Sequence, residues 1–184
     1  TADFSYDICV EDSKIHIAIS KAKEQFGSDS VTLDQMAASA EIYYAVLDTE
    51  NNTVSSPERI TNNNYADVTP SVAAFNNRVF VACATNQFGA ENTHSISYQE
   101  IGGDLTAIPV TGLVSALDAG ILDGTFSLSY VVDSDSNYDT DEDKKLYVTS
   151  DNDIGSVVAE ANVCSPTFAN VNGQNLLLWY SSEN

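Results

Sequence analysis

The chain has 184 residues, a length typical of one domain that buries a sizeable core. Seven Lys and Arg stand against 27 Asp and Glu, giving a formal net charge of −20. This balance excludes a nucleic-acid ligand, because phosphate binding needs clustered basic side chains, and it disfavours docking on an anionic membrane. No apolar run approaches the roughly 18 residues that span a bilayer, so we expect no membrane insertion.

Short apolar runs bounded by turn residues predict strands along the chain. The first group of predicted strands covers residues 6–11, 15–20, 41–47 and 59–61. A long insertion, residues 21–39, separates its second and third strands. Within it, residues 31–40 predict a short helix capped by the side chain of Thr32.

Two later segments repeat one another. Pro166 follows Pro70 by 96 residues, and each begins an apolar run, an Asn-Asn or Asn-Gly turn and a second apolar run. A third copy lies almost midway, with Asp123 and Gly124 as its turn. A unit of about 40 to 50 residues with several strands is typical of β-propellers.

The remaining predicted strands follow this repeat. They cover residues 71–75, 79–85, 94–101 and 107–110, then 119–122, 126–132, 146–150 and 156–160, and finally 167–171 and 175–180. The second strand of each group is apolar on nearly every residue, which predicts cover on both faces by neighbouring blades. A β-sandwich is the alternative, but it predicts no such repeat.

We therefore predict an all-β chain, a β-propeller fragment of about three and a half four-stranded antiparallel blades. It forms a single segment over residues 1–184, with repeats at approximately 1–64, 65–115, 116–162 and a partial 163–184. Such a fragment leaves apolar blade faces and one strand edge exposed, which invites association. We expect the remaining blades to come from another chain or from a second copy, and two copies would make seven.

Three strings carry a resemblance to a known group of proteins. Ile42-Tyr-Tyr-Ala-Val-Leu-Asp48, Pro57-Glu-Arg-Ile-Thr61 and Asp67-Val-Thr-Pro-Ser-Val-Ala-Ala74 resemble bacterial extracellular β-propellers with sialidase-like repeats. The resemblance concerns the scaffold, and such propellers close with about five to eight blades. They include glycan-active enzymes and binding modules of large surface proteins. A secreted or bacterial cell-surface location is implied, and the many Asn, Asp, Ser and Thr favour it.

The longest connections lie between second and third strands, at residues 21–39, 86–93 and 133–144. In an up-and-down blade they emerge on one side of the propeller together with the links between blades, a side called here the loop face. Loop drift without function is the alternative. The candidate ligand-binding residues on or near the loop face are four aromatic residues and one accessible histidine: Phe26, Tyr65, Phe88, His94 and Tyr138.

The third of these connections places oxygen donors at every second residue. Asp133, Asp135, Asn137 and Asp139 are the predicted ligands of a Ca²⁺ ion, which takes six to eight oxygens from a loop that curls around it. The spacing departs from an EF-hand, since Tyr138 replaces the usual glycine. The alternative is a solvated acidic hairpin loop.

Residues that could support catalysis are few. A sialidase of the resembled group would need three converging arginines, and only Arg59 and Arg78 exist, so both are predicted to be structural. His16 aligns with a core position of the second repeat and is predicted to be packed. Trp179 is likewise predicted to lie in the core. Three cysteines (Cys9, Cys83 and Cys164) are predicted to be free thiols in apolar strands.

We therefore predict no catalytic residues in this chain and lean against an enzyme. The leading hypothesis is a non-catalytic extracellular binding or scaffold module that presents an acidic loop face to a protein or glycan. The alternative is a fragment of a propeller glycoside hydrolase or lyase whose catalytic set lies partly outside this chain.

Overall fold

A computed structural model describes residues 3–27, 31–86, 93–135, 137, 140, 142–150 and 155–181. The first sheet, blade 1, contains β1 (Asp3–Glu11), β2 (Lys14–Ala22), β3 (Ala40–Asp48), β4 (Thr53–Val54) and β5 (Glu58–Arg59). Strands β1, β2 and β3 pair in chain order, and the short strands β4 and β5 both pair with β3. The two short strands thus share the outer position of a four-stranded blade.

The next three sheets repeat this order. Blade 2 contains β6 (Ala66–Phe75), β7 (Arg78–Asn86), β8 (Thr93–Glu100) and β9 (Thr106–Thr111). Blade 3 contains β10 (Leu113–Leu122), β11 (Thr125–Asp133), β12 (Lys145–Ser150) and β13 (Ser156–Glu160). Blade 4 has the two strands β14 (Val163–Val171) and β15 (Gln174–Ser181). Every pairing is antiparallel, and every pairing except that of β3 with β5 joins neighbours in chain order, which confirms the predicted propeller fragment of about three and a half blades.

Two-residue turns join the first and second strands of each blade. Asn76 and Asn77 have φ of 53° and 60°, and the Asp123–Gly124 and Asn172–Gly173 turns likewise have positive φ at both residues. This is the backbone that Asn, Asp and Gly tolerate and that tight hairpins require. These turns lie at the end of the blades opposite the loop face, called here the hairpin face.

Apolar side chains fill the spaces between successive blades. The largest cluster joins blades 2 and 3 and includes Phe80 and Phe126, whose stacked rings lie 4.1 Å apart. A second cluster, with Ala18, Ile42 and Val72, joins blades 1 and 2, and a third, around Val131, joins blades 3 and 4. The core is therefore a series of blade-to-blade interfaces.

The predicted helix is confirmed as α1 (Leu33–Ala37). The Gln35 amide donates to the Thr32 side chain at 3.2 Å, and the Gln35 side chain accepts from the Thr32 amide at 3.0 Å, forming a capping box. In the part of the chain that the structure describes, no helix has the length and apolar character needed to cross a membrane.

His16 is buried as predicted, and the three cysteines are free, with Cys83 fully buried. The prediction for Trp179 was wrong, because its side chain is 45% exposed. Among the described residues blade 4 has only two strands, so β15 forms its outer edge and has no third strand beside it. Alignment with Cys83, which lies inside a complete blade, could not reveal this.

Candidate functional site

Three carboxylates meet at the base of the β11–β12 connection on the loop face. One carboxylate oxygen from each of Asp133, Asp135 and Asp143 lies within 4.8 Å of the others, an arrangement that could hold a metal ion. Asp133 ends β11 and is fully buried, Asp143 is partly buried and Asp135 is exposed. These three residues are called here the acidic cluster.

Hydrogen bonds within the loop fix the acidic cluster. Asp143 accepts from the Asp135 amide at 2.7 Å through Oδ2, while its Oδ1 is buried and has no hydrogen-bond partner among the described residues. The Asn137 amide donates to Asp135 Oδ1 at 2.8 Å. The loop thus converges on carboxylate oxygens, which are the ligands that hard cations prefer.

Two of the four predicted metal ligands, Asp133 and Asp135, therefore belong to the acidic cluster. Asn137 lies in the same loop, and Asp139 lies outside the described residues. The prediction missed Asp143, which falls outside the alternation of oxygen donors. The antiparallel pairing of β11 with β12 could have revealed it, because a returning strand places residue 143 beside residues 134 and 135.

A cavity of about 440 Å³ opens between blades 2 and 3, towards the loop-face end of the strands. It is lined by His94, Pro109, Val110, Thr111, Tyr130, Val132 and Tyr147, and is called here the tyrosine cavity. The rings of Tyr130 and Tyr147 stack with centroids 5.3 Å apart. Val132 of the cavity directly precedes Asp133 at the end of β11, so both sites lie at the loop-face end of blade 3.

His94 gives the tyrosine cavity a polar group. Its Nδ1 is hydrogen-bonded to the side-chain oxygen of Asn86, so Nδ1 carries the proton and Nε2 is an acceptor. Burial lowers the pKa of His94, which keeps the imidazole neutral at pH 7. The cavity therefore offers aromatic and aliphatic surface with an uncharged acceptor.

The other predicted ligand-binding residues do not line this cavity. Phe26 is partly buried in the connection between β2 and α1. Tyr65 is exposed in the link between β5 and β6, where its amide donates to Asn63 Oδ1 at 2.7 Å. Phe88 and Tyr138 lie outside the described residues.

Both arginines, which were predicted to be structural, form ion pairs. Arg59 donates to the fully buried Glu41 at 2.8 Å, and Thr61 and the Asn63 amide complete the contacts of that carboxylate at 2.7 and 2.9 Å. Arg78 forms a bidentate pair with Glu100, at 3.0 and 2.8 Å, beside the hairpin face. The two arginines thus belong to opposite ends of the blades.

A second pair of carboxylates lies where the first strands of the blades meet, along the propeller axis. The Ser71 hydroxyl lies 3.0 Å from Asp7 Oδ2 and 3.2 Å from Asp118 Oδ1. Asp7 and Asp118 border a cavity of about 300 Å³. Burial raises the pKa of Asp118, and nearby Asp7 adds to this. No sequence pattern had pointed to this site.

No protein-family model matches the chain, and no curated protein matches its sequence. Among solved structures it is similar to Trypanosoma rangeli sialidase, with a TM-score of 0.56 and 9% identity over 100% of this chain and 35% of that chain. It is also similar to α-L-arabinofuranosidase from Lactobacillus brevis, with a TM-score of 0.57 and 11% identity over 99% of this chain and 67% of that chain.

These similarities define the class of fold. The chain has the scaffold of sialidase and arabinofuranosidase propellers, which confirms the sialidase-like resemblance at the level of the scaffold. At these identities the likeness concerns the fold alone. The chain spans about a third of the length of the sialidase.

Proposed function

We propose that this propeller segment is a secreted or cell-surface binding module whose loop face takes a glycan, with a calcium ion ordering the acidic loop. The observation that carries the proposal is that the acidic cluster and the tyrosine cavity lie at the same, loop-face end of blade 3. One site would order the loop, and the other would accept the ligand.

The donor set of the acidic cluster favours calcium. All its ligand atoms are carboxylate oxygens, and the loop is irregular, which suits the flexible coordination of Ca²⁺ better than the strict octahedron of Mg²⁺. Asn137 and Asp139 are the further ligands proposed from the sequence. A bound cation would also offset the mutual repulsion of three acids in a chain of net charge −20.

The tyrosine cavity suits an uncharged sugar. Sugar rings stack on aromatic faces, and the neutral His94 Nε2 can accept a hydrogen bond from a sugar hydroxyl. The acidic surroundings disfavour a glycan that carries a carboxylate. Arg59 and Arg78, which could have recognised such a group, are held by Glu41 and Glu100. We therefore expect neutral glycans rather than sialylated ones.

Thermal unfolding after chelation tests the calcium site. At about a hundredfold excess over its Kd, an ion that binds only the folded chain stabilises it by about 2.7 kcal/mol, a rise in Tm of roughly 5–10 °C for a chain of this size. Asp143→Asn should abolish the rise, whereas Asp104→Asn, on an exposed loop remote from the cluster, should retain it. An unchanged Tm on adding millimolar calcium would refute the calcium site.

A glycan array with and without calcium tests the ligand. Binding to neutral glycans should be lost in Tyr147→Ala and retained in Tyr65→Ala, since Tyr65 lies outside the tyrosine cavity. An array on which the chain binds nothing, or binds only acidic glycans, would contradict the proposal.

The second candidate is a fragment of a propeller glycoside hydrolase or lyase. It is favoured by the likeness to the two glycosidase propellers and by the carboxylates of Asp7 and Asp118 at the axial cavity. The raised pKa of Asp118 suits a group that donates a proton. Glycosidase activity of the complete ring that survives Asp7→Asn and Asp118→Asn would remove these residues from catalysis.

A further inference from the structure

The contacts along the propeller axis follow one rule from blade to blade. Four residues, Asp7, Ser71, Asp118 and Thr167, each lie five positions before the hairpin turn of their own blade. Each of the first three accepts a hydrogen bond from a backbone amide of the next blade. The distances are 2.9 Å from Val72 to Asp7, 2.9 Å from Ala119 to Ser71 and 2.6 Å from Phe168 to Asp118. This repeated contact is called here the axial clasp.

The clasp positions also alternate in chemistry. Carboxylates occupy blades 1 and 3, and hydroxyls occupy blades 2 and 4. The single proton of the Ser71 hydroxyl can be donated to either carboxylate beside it, and Thr167 is likewise hydrogen-bonded to Asp118. A hydroxyl between two carboxylates keeps their charges apart and provides a hydrogen-bond donor, whereas two adjacent carboxylates would repel each other. The position after Thr167 therefore calls for a carboxylate.

Blade 1 supplies that group at its own clasp position. Asp7 would follow Thr167 in the same alternation. Ile8, which stands where Val72 stands in blade 2, would present the amide that Thr167 is placed to accept. Thr167 is exposed at this open end of the segment. The two ends thus match each other by the rule that already joins the blades inside the chain.

The apolar faces at the two ends match in the same way. On blade 1, Tyr6, Ile8 and Val10 point away from blade 2 and are 74%, 52% and 64% exposed. On blade 4, Leu177 packs towards blade 3, so the alternating Leu176 and Leu178 point outward. In the repeat, Ile8 corresponds to Val72, which is buried between blades, and Leu178 corresponds to the similarly buried Ala82.

We propose that a second copy of this chain docks head to tail, the outer face of blade 4 in one copy meeting the outer face of blade 1 in the other. Head-to-tail contacts form a ring only when their rotation closes, and closure with two copies requires the four blades of each copy to span half a turn about the axis. Blade 4, which has two strands among the described residues, contributes one clasp position around the axis, as each of the other blades does. The ring therefore has eight clasp positions rather than the seven blades counted from the sequence, and an even number keeps acids and hydroxyls alternating throughout.

Light scattering on the full chain tests the proposal. The wild type should have twice the monomer mass, and added salt should strengthen the dimer because each copy carries a net charge of −20. Ile8→Glu and Leu178→Lys should each give monomers. Leu105→Glu is the matched control, since Leu105 is also an exposed leucine but belongs to blade 2, and it should remain dimeric.

Mixing the two end variants distinguishes head-to-tail docking from a symmetric contact. Blade 4 of Ile8→Glu and blade 1 of Leu178→Lys are both intact, so an equimolar mixture should recover an open dimer through one interface.

Thr167→Val should weaken the dimer about tenfold through loss of the clasp. A monomeric wild type at about 100 µM, far above the Kd of a stable dimer, would overturn the proposal, as would a Leu178→Lys variant that stays dimeric with an unchanged Kd.

Discussion

Replacing Ser71 by Ala tests whether the axial clasp holds the blades together. Ser71 is 2% exposed, and its hydroxyl accepts from the Ala119 amide at 2.9 Å while lying within donating distance of Asp7 and Asp118. Alanine preserves the backbone and removes one oxygen. The variant therefore changes the polar contacts of three blades with almost no change in packing.

The expected cost follows from the partners left behind. The Ala119 amide loses its acceptor, and a buried unsatisfied group costs about 1–3 kcal/mol. The two carboxylates lose a donor but retain others, since Val72 donates to Asp7 at 2.9 Å and Phe168 to Asp118 at 2.6 Å. We expect a total loss of about 2–4 kcal/mol in the free energy of unfolding, and a drop in Tm of roughly 5–15 °C.

Ser129→Ala is the matched control. Ser129 is fully buried in blade 3, but among the described residues the only hydrogen bond of its hydroxyl is to the Asp118 carbonyl, at the long distance of 3.5 Å. Its loss should cost less than about 1 kcal/mol, because so long a contact contributes little. Circular dichroism during thermal and urea unfolding measures the stability of both variants, Ser71→Ala and Ser129→Ala. Equal losses in the two variants would refute the clasp as a stabilising contact.

The pH dependence of the Tm of Ser71→Ala gives a second test of the clasp. Burial raises the pKa of Asp118, so the folded chain binds this proton more tightly than the unfolded chain. Its contribution to stability therefore increases as pH falls through the folded pKa. Removing the Ser71 donor should raise that pKa further. Ser71→Ala should recover part of its lost Tm as pH falls from 7 towards the ordinary carboxyl pKa of about 4, and a loss that stays constant over this range would contradict the reasoning.

Three further substitutions probe other blade contacts by thermal unfolding. Gly120→Ala places a Cβ 2.3 Å from the Phe168 side chain and should cost about 1–3 kcal/mol, whereas Gly27→Ala meets nothing within 4 Å and should be neutral. Glu41→Gln should lower the free energy of unfolding by about 2 kcal/mol, since it removes the charge of a buried carboxylate that pairs with the partly exposed Arg59. Burial lowers the pKa of His16, so the wild type loses stability as pH falls below about 6.5, and His16→Phe should lack that step.

The strands and turns were predictable because they depend on local patterns. Apolar second strands and Asn-Asn or Asp-Gly turns identify each hairpin wherever they occur. The first strands, however, begin several residues earlier than predicted, at Ala66, Leu113 and Val163. The sequence pattern places the proline just before the strand, but β6 runs through Pro70. A bulge between Val68 and Ser71, with Thr69 at a φ of 52°, lets the strand continue there. A bulge leaves no periodic pattern in the sequence.

The candidate sites were less predictable because they combine distant residues. The loop of alternating acids located Asp133 and Asp135, yet the third member of the acidic cluster, Asp143, comes from the turn just before the returning strand β12. The tyrosine cavity joins His94 from blade 2 with Tyr147 from blade 3, and only the packing of blades brings these together. Single side chains such as His94 can be identified from the sequence, but the surface they share cannot.

The axial clasp also explains how blades with little sequence in common can share one geometry. In each contact a side-chain oxygen accepts from a backbone amide of the next blade, and every residue except proline carries that amide. The identity of the neighbouring side chain is therefore free to change, and the accepting residue itself can be Asp or Ser. What must persist is an oxygen acceptor five residues before the hairpin turn. This weak demand on sequence is consistent with a likeness of fold to a sialidase at 9% identity.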